Sequence, residues 1–244
     1  MKIFLSGEGP TDLGRCNNAT ATCEDADFIP GPMTLLIDNI FAQAFQYSPL
    51  EVDKGTYRFV NKRTLSELAK QGKRGIALPG KKHGIDTAFF YFNAWMLGKV
   101  AREYSLQTKD PSIAVLFRDT DGTNSSANDL WKRKWESMIQ GFARAEYECG
   151  VPMLPKPKSE AWLLCAVKDM PYQNCAALEE LSGNDDSPDS AKARLEEAMD
   201  GRTSAADVCE WLRETGFDHD SVAGQMTSYR EFRLRLMEVL DLCK

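Results

Sequence analysis

Four absences narrow the field before any motif is considered. No run approaches the roughly 20 apolar residues that a membrane helix needs. The opening Met1-Lys-Ile-Phe-Leu-Ser-Gly-Glu8 meets its first acid too early for a secretory leader. There is no Cys-x-x-Cys pair: Cys16, Cys23, Cys149, Cys165, Cys175, Cys209 and Cys243 are odd in number and scattered, so neither a disulfide framework nor a zinc knuckle is legible. Only His83 and His219 are present, which excludes a His-rich metal site, and no Gly-x-Ser-x-Gly elbow accompanies them. The expectation is a cytoplasmic protein with reduced thiols, no membrane partner and two ordinary histidines.

An overall basic charge is also lacking. The net charge of −6 is not the footprint of a general nucleic-acid binder. The charge is unevenly placed, however: between Lys54 and Lys82 there are nine basic residues (Lys54, Arg58, Lys62, Arg63, Lys70, Lys73, Arg74, Lys81, Lys82) against the single acid Glu67, a local balance of +8. Such a stretch either faces phosphates or is a solvated surface. Within it, Gly75-Ile-Ala-Leu-Pro-Gly-Lys81-Lys82 imitates a P-loop, but the eighth position is Lys where Ser or Thr should hold Mg²⁺ and no strand precedes it. No nucleotide cofactor site is assigned.

What is present is enough apolar residue, 43% of 244, for one sizeable core. Lys2 to Ser6 reads as a short buried strand stopped by Gly7-Glu8-Gly9-Pro10, followed by an irregular connection to about Pro32. A helix follows from Met33 to before Ser48-Pro49, with weaker strands at Tyr57 to Val60 and Gly75 to Leu78 and a long helix over Asp86 to Tyr104. Ile113 to Arg118 is a continuous apolar run of the kind covered on both faces in a parallel sheet. A helix over Ser126 to Cys149 returns to a strand near Val151 to Leu154. Beyond Pro155 only helices are read: Ser159 to Val167, Ser190 to Met199, Ser204 to Thr215 and Ser228 to Leu242, with Ser182 to Asp189 as a surface linker. The fold class is therefore α/β, a Rossmann-like parallel sheet covered by helices over residues 1–157, with a helical extension over 158–244 packed on it.

In an open parallel sheet, ligands bind beyond the carboxyl ends of the strands. Acids stand at two such places: Glu8 and Asp12 after the first strand, Asp119 and Asp121 after the clearest one. Clustered carboxylates repel at close range unless a cation neutralises them, and oxygen-only donors favour Mg²⁺ or Mn²⁺ over zinc. Phosphoryl transfer is the chemistry such a site serves best. Glu160 opens a later helix, where it is equally suited to the helix dipole. Lys156 and Lys158 are candidates to stabilise transition-state charge.

Glu8-Gly9 and Asp119-Thr120-Asp121 resemble the TOPRIM (topoisomerase–primase) motif, a Glu-Gly after the first strand and an Asp-x-Asp after a later one. More closely, Glu8-Gly-Pro-Thr-Asp12 and Pro155-Lys-Pro-Lys-Ser-Glu-Ala-Trp162 are similar to segments of OLD-type (overcoming lysogenization defect) nucleases and their standalone RloB-like relatives. Asp12 is a shorter arm than the Glu usual in that variant. The resemblance runs over roughly Met1 to Leu164 and implies a TOPRIM-like fold and a Mg²⁺-dependent nuclease for DNA or RNA, with Glu8, Asp119, Asp121 and Lys158 catalytic and Glu8, Asp12, Asp119, Asp121 and Glu160 holding metal. It also implies a role in bacterial anti-phage defence with an ATPase on a separate chain, and it leaves a homo-oligomer open. The alternatives are a nucleic-acid or nucleotide sensor that keeps the fold without hydrolysis, and a small-nucleotide phosphohydrolase.

Overall fold

A computed structural model describes residues 1–17, 20–72, 87–121 and 129–243. In chain order the strands are β1 (Lys2–Ser6), β2 (Gly14–Cys16), β3 (Thr22–Glu24), β4 (Phe28–Pro30), β5 (Tyr57–Val60), β6 (Ser112–Phe117) and β7 (Gly150–Met153). The helices are α1 (Pro32–Phe45), α2 (Pro49–Val52), α3 (Lys62–Gly72), α4 (Ala88–Thr108), α5 (Leu130–Arg144), α6 (Ser159–Val167), α7 (Ala191–Ala198), α8 (Ala205–Thr215), α9 (His219–Gln225) and α10 (Thr227–Leu242). The main sheet runs β3-β5-β1-β6-β7. β5, β1, β6 and β7 are parallel, and β3 closes one edge antiparallel to β5.

The sheet is buried on both faces, and strand alternation divides its side chains between two cores. Ile3, Leu5, Tyr57, Phe59, Ile113, Val115, Phe117, Val151 and Met153 face one core, shared with α1, α6, α8 and α10. Phe4, Val60, Ala114 and Leu116 face the other, shared with α3, α4 and α5. The late helices therefore belong to the same buried cluster as one sheet face. Trp162 of α6 is fully buried, edge-on to Tyr229 and stacked on Phe232 of α10, and its indole N–H donates to the Ser228 hydroxyl at 2.8 Å. Ser190, Ser204 and Asp218 cap α7, α8 and α9, with a full capping box at Ser204.

Several expectations need correction. The connection from Gly7 to Pro32 holds three short strands, with β2 and β4 pairing as a separate ribbon. Strands of three residues carry too few side chains for periodicity to register. Cys16 and Cys23 form a disulfide, as do Cys165 and Cys175, so four of the thiols expected to be reduced are paired. The ribbon and the α6 exit bring those Cα atoms to 5.6 and 5.3 Å, a proximity that sequence spacing does not encode. The helix read over Ser126 to Cys149 ends at Arg144, and α9 was not read at all. The P-loop imitation, the strand at Gly75 to Leu78, His83 and five of the nine basic positions lie outside the described residues or side chains. No helix among the described residues is long and apolar enough to cross a membrane.

One glycine pair fixes the ribbon. Gly14 adopts φ +116°, and a Cβ there would lie 2.2 Å from the Ile29 carbonyl oxygen; a Cβ on Gly31 would lie 2.3 Å from the Asp12 carbonyl oxygen. The Gly31 N–H donates to the Leu13 carbonyl and the Met33 N–H to the Asp12 carbonyl, each at 3.0 Å, so the approach registers the segment carrying Asp12 against the start of α1. Gly31→Ala is expected to destabilise the protein by about 2 kcal/mol or more, against about 1 or less for Gly7→Ala, where a Cβ meets only ordinary contacts from 3.5 Å outward. Urea unfolding midpoints check the difference.

Candidate metal centre

The parallel register Ser6↔Leu116 brings the ends of β1 and β6 level, so Glu8 and Asp119 leave the sheet at the same edge. β7 leads through Pro155 and Pro157 to α6 at that edge. The Thr120 N–H donates to the Pro157 carbonyl at 3.0 Å and the Asp121 N–H to the same carbonyl at 3.1 Å, which stitches the Asp-Thr-Asp turn to the approach of α6. Asp121 itself adopts φ +49°, a left-handed conformation that Asp tolerates better than most residues.

Ser159 joins three of the acids. Its N–H donates to Asp119 Oδ1 at 3.1 Å, and its hydroxyl lies 2.9 Å from Asp12 Oδ1 and 3.4 Å from Glu160 Oε2. It opens α6, as its place at the start of the expected helix implies, but its hydroxyl turns to the acids and does not cap the helix. Burial pushes the Asp119 carboxyl well above the usual carboxylate range, and the neighbouring Asp12, Glu160, Asp121 and Glu8 push it further. Burial likewise raises Asp12 to about 6, with Glu160 and Glu8 adding and the Ser159 hydrogen bond opposing. The other four predicted acids are thus all within electrostatic reach of Asp119. Of the five, four are half-buried and Asp121 is exposed.

Three cations answer this charge. Arg118 has no exposed surface: its guanidinium donates to the carbonyls of Ser6 at 3.2 Å and Phe117 at 2.6 Å and to Asn93 Oδ1 at 3.0 Å. Among the described residues its Nε has no hydrogen-bond partner, and it stands 3.7 Å from Glu8 Oε1. Burial lowers Arg118 to about 10, with Glu8 holding it up. Lys134 of α5 donates to the Thr120 carbonyl and lies 4.6 Å from the centre of the Phe90 ring; burial lowers it while Asp121, Glu8 and Asp119 oppose. Lys158 pairs with Asp185 at 2.8 Å and Asp121 at 3.4 Å; burial works against its charge, but these acids raise it overall. Lys156 points elsewhere, to Glu180 at 2.6 Å.

The five acids and Lys158 named from the sequence are brought to this edge, and Arg118, Lys134, Ser159 and Asp185 join them without having been named from it. Arg118 closes the run Ile113 to Arg118 that the sequence marks as a strand, and Asp185 belongs to the segment expected as a surface linker. His219 is buried, bonded through Nδ1 to the Tyr229 hydroxyl and lowered by burial to about 4. Of the basic stretch, Arg58 is taken up by Glu24 and Arg63 by Glu67.

The donor chemistry, all carboxylate oxygen, fits a hard divalent cation. Among the described residues, no three His, Cys, Asp or Glu side chains are drawn close enough together to hold an ion as they stand. No protein-family model matches the sequence, no curated protein matches it, and no solved structure matches it.

An acid whose folded pKa is raised favours folding at low pH, and that contribution is lost as pH rises through the folded value. For Asp12 the window is about pH 4 to 6. In EDTA, Asp12→Asn is expected to be near neutral at pH 4 and to stabilise by about 1–3 kcal/mol at pH 8. Melting temperatures of both proteins across that range check the sign.

Proposed function

We propose that this chain is a metal-dependent phosphodiesterase. The observation that carries the reading is the gathering of Glu8, Asp12, Asp119, Asp121 and Glu160, from three separate segments, at one carboxyl edge of a parallel sheet, with the Asp119 carboxyl raised by burial and by the other four. Glu8, Asp119 and Asp121 are the principal ligands in this reading, and Asp12 and Glu160 serve a second ion. When bound, Mg²⁺ or Mn²⁺ supplies Lewis-acid polarisation of a phosphate and offsets the charge of the acids.

The chain's own groups divide the remaining work. Arg118 orients Glu8 from below, and Ser159 fixes Asp119 and Asp12 relative to α6. Lys158 sits at the acid edge between Asp121 and Asp185, where its ammonium faces an incoming phosphate once Asp185 is displaced. Lys134, anchored on the Thr120 carbonyl, adds positive charge on the α5 side.

Within this class we read the chain as a TOPRIM-type nuclease of the OLD and RloB-like kind, on the Glu-Gly and Asp-x-Asp motifs and the α6 segment, acting on DNA or RNA in a phage-defence system with a separate ATPase. The sensor reading has one observation in its favour: the acids are near one another without forming a close ion cage.

A screen of supercoiled DNA, linear DNA and total RNA with Mg²⁺ or Mn²⁺ tests the proposal, with single nucleotides assayed alongside. Cleavage by the native chain and none by a folded Asp119→Ala variant is expected. Metal binding with no turnover on any substrate overturns hydrolysis in favour of the sensor, and turnover of nucleotides alone favours the small-substrate enzyme. Removal of metal gives a second readout. At a hundredfold excess over its dissociation constant the ion is expected to stabilise the native protein by about 2.7 kcal/mol, a gain lost in EDTA and in Asp119→Ala. Thermal unfolding with and without Mg²⁺ measures it.

A further inference from the structure

The cations nearest the first strand are not all absorbed by the metal centre. Arg58 and Arg63 have acids of their own, but among the described residues Lys62, half-buried, and Arg15, exposed, pair with no acid. Both line one cleft of about 360 Å³. Its walls come from three segments: the turn after β1 with Glu8, the β2 ribbon with Arg15 and Cys16, and the link from β5 to α3 with Lys62. The Leu5↔Phe59 register sends the end of β5 off the sheet beside Glu8, and Phe59, buried and stacked on Phe28, lines the cleft from the core side. These walls are held in place. Cys16 is bonded to Cys23, which stands opposite Phe59 in the sheet, so the ribbon that carries Arg15 is tied to the strands beside the cleft. Lys62 Nζ lies 4.8 Å from the centre of the Phe89 ring and the Arg118 guanidinium 5.3 Å from the same centre, which seats the ammonium one ring away from the arginine that meets Glu8. An aromatic ring steadies a cation without neutralising it, so the charge of Lys62 stays available to an anion.

We propose that this cleft binds the phosphodiester next to the one under attack, so that a single nucleic-acid strand runs from the metal centre past Glu8 to Arg15 and Lys62, a placement that rests on the phosphodiesterase reading in setting the reacting phosphate at Glu8. Charge complementarity selects the occupant. Two cations without acid partners line a concavity that shares the Glu8 carboxylate with the metal centre, and a polyanion whose neighbouring phosphates meet the cations and a metal ion satisfies both sides. The volume is at the small end of ligand sites, with room for one nucleotide and not for a duplex. Arg15 and Lys62 reach phosphate oxygens, which fix the register of a strand and carry no sequence information, so the cleft positions the strand without choosing its bases.

The test titrates labelled oligothymidylate into the full chain with Mg²⁺, in the Asp119→Ala background so that no strand is cut, and follows fluorescence anisotropy at several salt concentrations. Arg15→Ala and Lys62→Ala are each expected to weaken binding about three- to fivefold. Each is also expected to reduce the slope of log affinity against log salt by about 0.7, the share of one phosphate contact on a single strand. Arg102→Ala, which removes a cation paired with Glu146 away from the cleft, is expected to change neither. Melting temperatures matching the parent check that the variants fold. Affinity and slope unchanged in the Arg15→Ala, Lys62→Ala double variant overturn the proposal, and leave the phosphodiesterase reading standing where the native chain cuts nucleic acid. Weakened binding in the double variant, with no substrate cut by the native chain, overturns that reading and keeps the cleft as a strand-binding site. An equal loss in Arg102→Ala overturns the cleft in favour of diffuse attraction. Displacement of the oligomer by inorganic phosphate at comparable concentration overturns it in favour of a lone anion.

Discussion

Arg118 carries a full charge with no surface open to water, and a buried charge persists only where every side of it is met. The carbonyls at the ends of β1 and β6 meet one side, Asn93 of α4 meets another, and Glu8 meets the third across 3.7 Å. Asn93 is itself held by the Phe89 carbonyl of its own helix at 2.5 Å. The demands of this one guanidinium thus tie two strands, a helix and the first acid into a single arrangement.

The positive groups around the acids differ in what they are free to do. Arg118 is enclosed and its role is fixed by packing. Lys134 is anchored at one point, and Lys158 is shared between Asp121 and Asp185. Asp185 is shared in turn with Lys192 at 3.9 Å, so the segment between α6 and α7 is tethered to the acid edge by exposed ion pairs, which are weak individually and sensitive to salt. The site is therefore rigid below, where strands and Arg118 define it, and adjustable above, where substrate would arrive.

The parts of this arrangement legible in the sequence were those that depend on near neighbours along the chain. The apolar runs of β1 and β6 are visible because burial on both faces leaves no polar alternation, and the acids after them are conspicuous because a buried strand cannot hold them. The α8 helix shows through its periodicity and its capping Ser204, and α6 and α10 through periodicity alone. What stayed hidden depends on partners distant in sequence. Arg118 has no local signature that separates a buried cation from an exposed strand end; its meaning comes from Ser6 and Asn93. Ser159 offers a hydroxyl suited equally to a cap and to a carboxylate, and only the position of Asp12 decides between them. The Cys16–Cys23 and Cys165–Cys175 pairs follow from how the ribbon and the α6 exit fold, which no spacing rule anticipates.

The division of the sheet between two cores has a bearing on the accuracy of the edge. Ile3 and Leu5 are buried on one side and Phe4 on the other, with none of the three exposed. A slip of β1 by one residue would send Phe4 into the core built for Ile3 and Leu5, and send both of those into the core built for Phe4. Glu8 lies three residues beyond Leu5 on the same chain, so its distance along the strand direction is indexed by two packing problems solved at once. The sheet acts as a vernier: the two cores must agree before the first acid can stand level with Asp119.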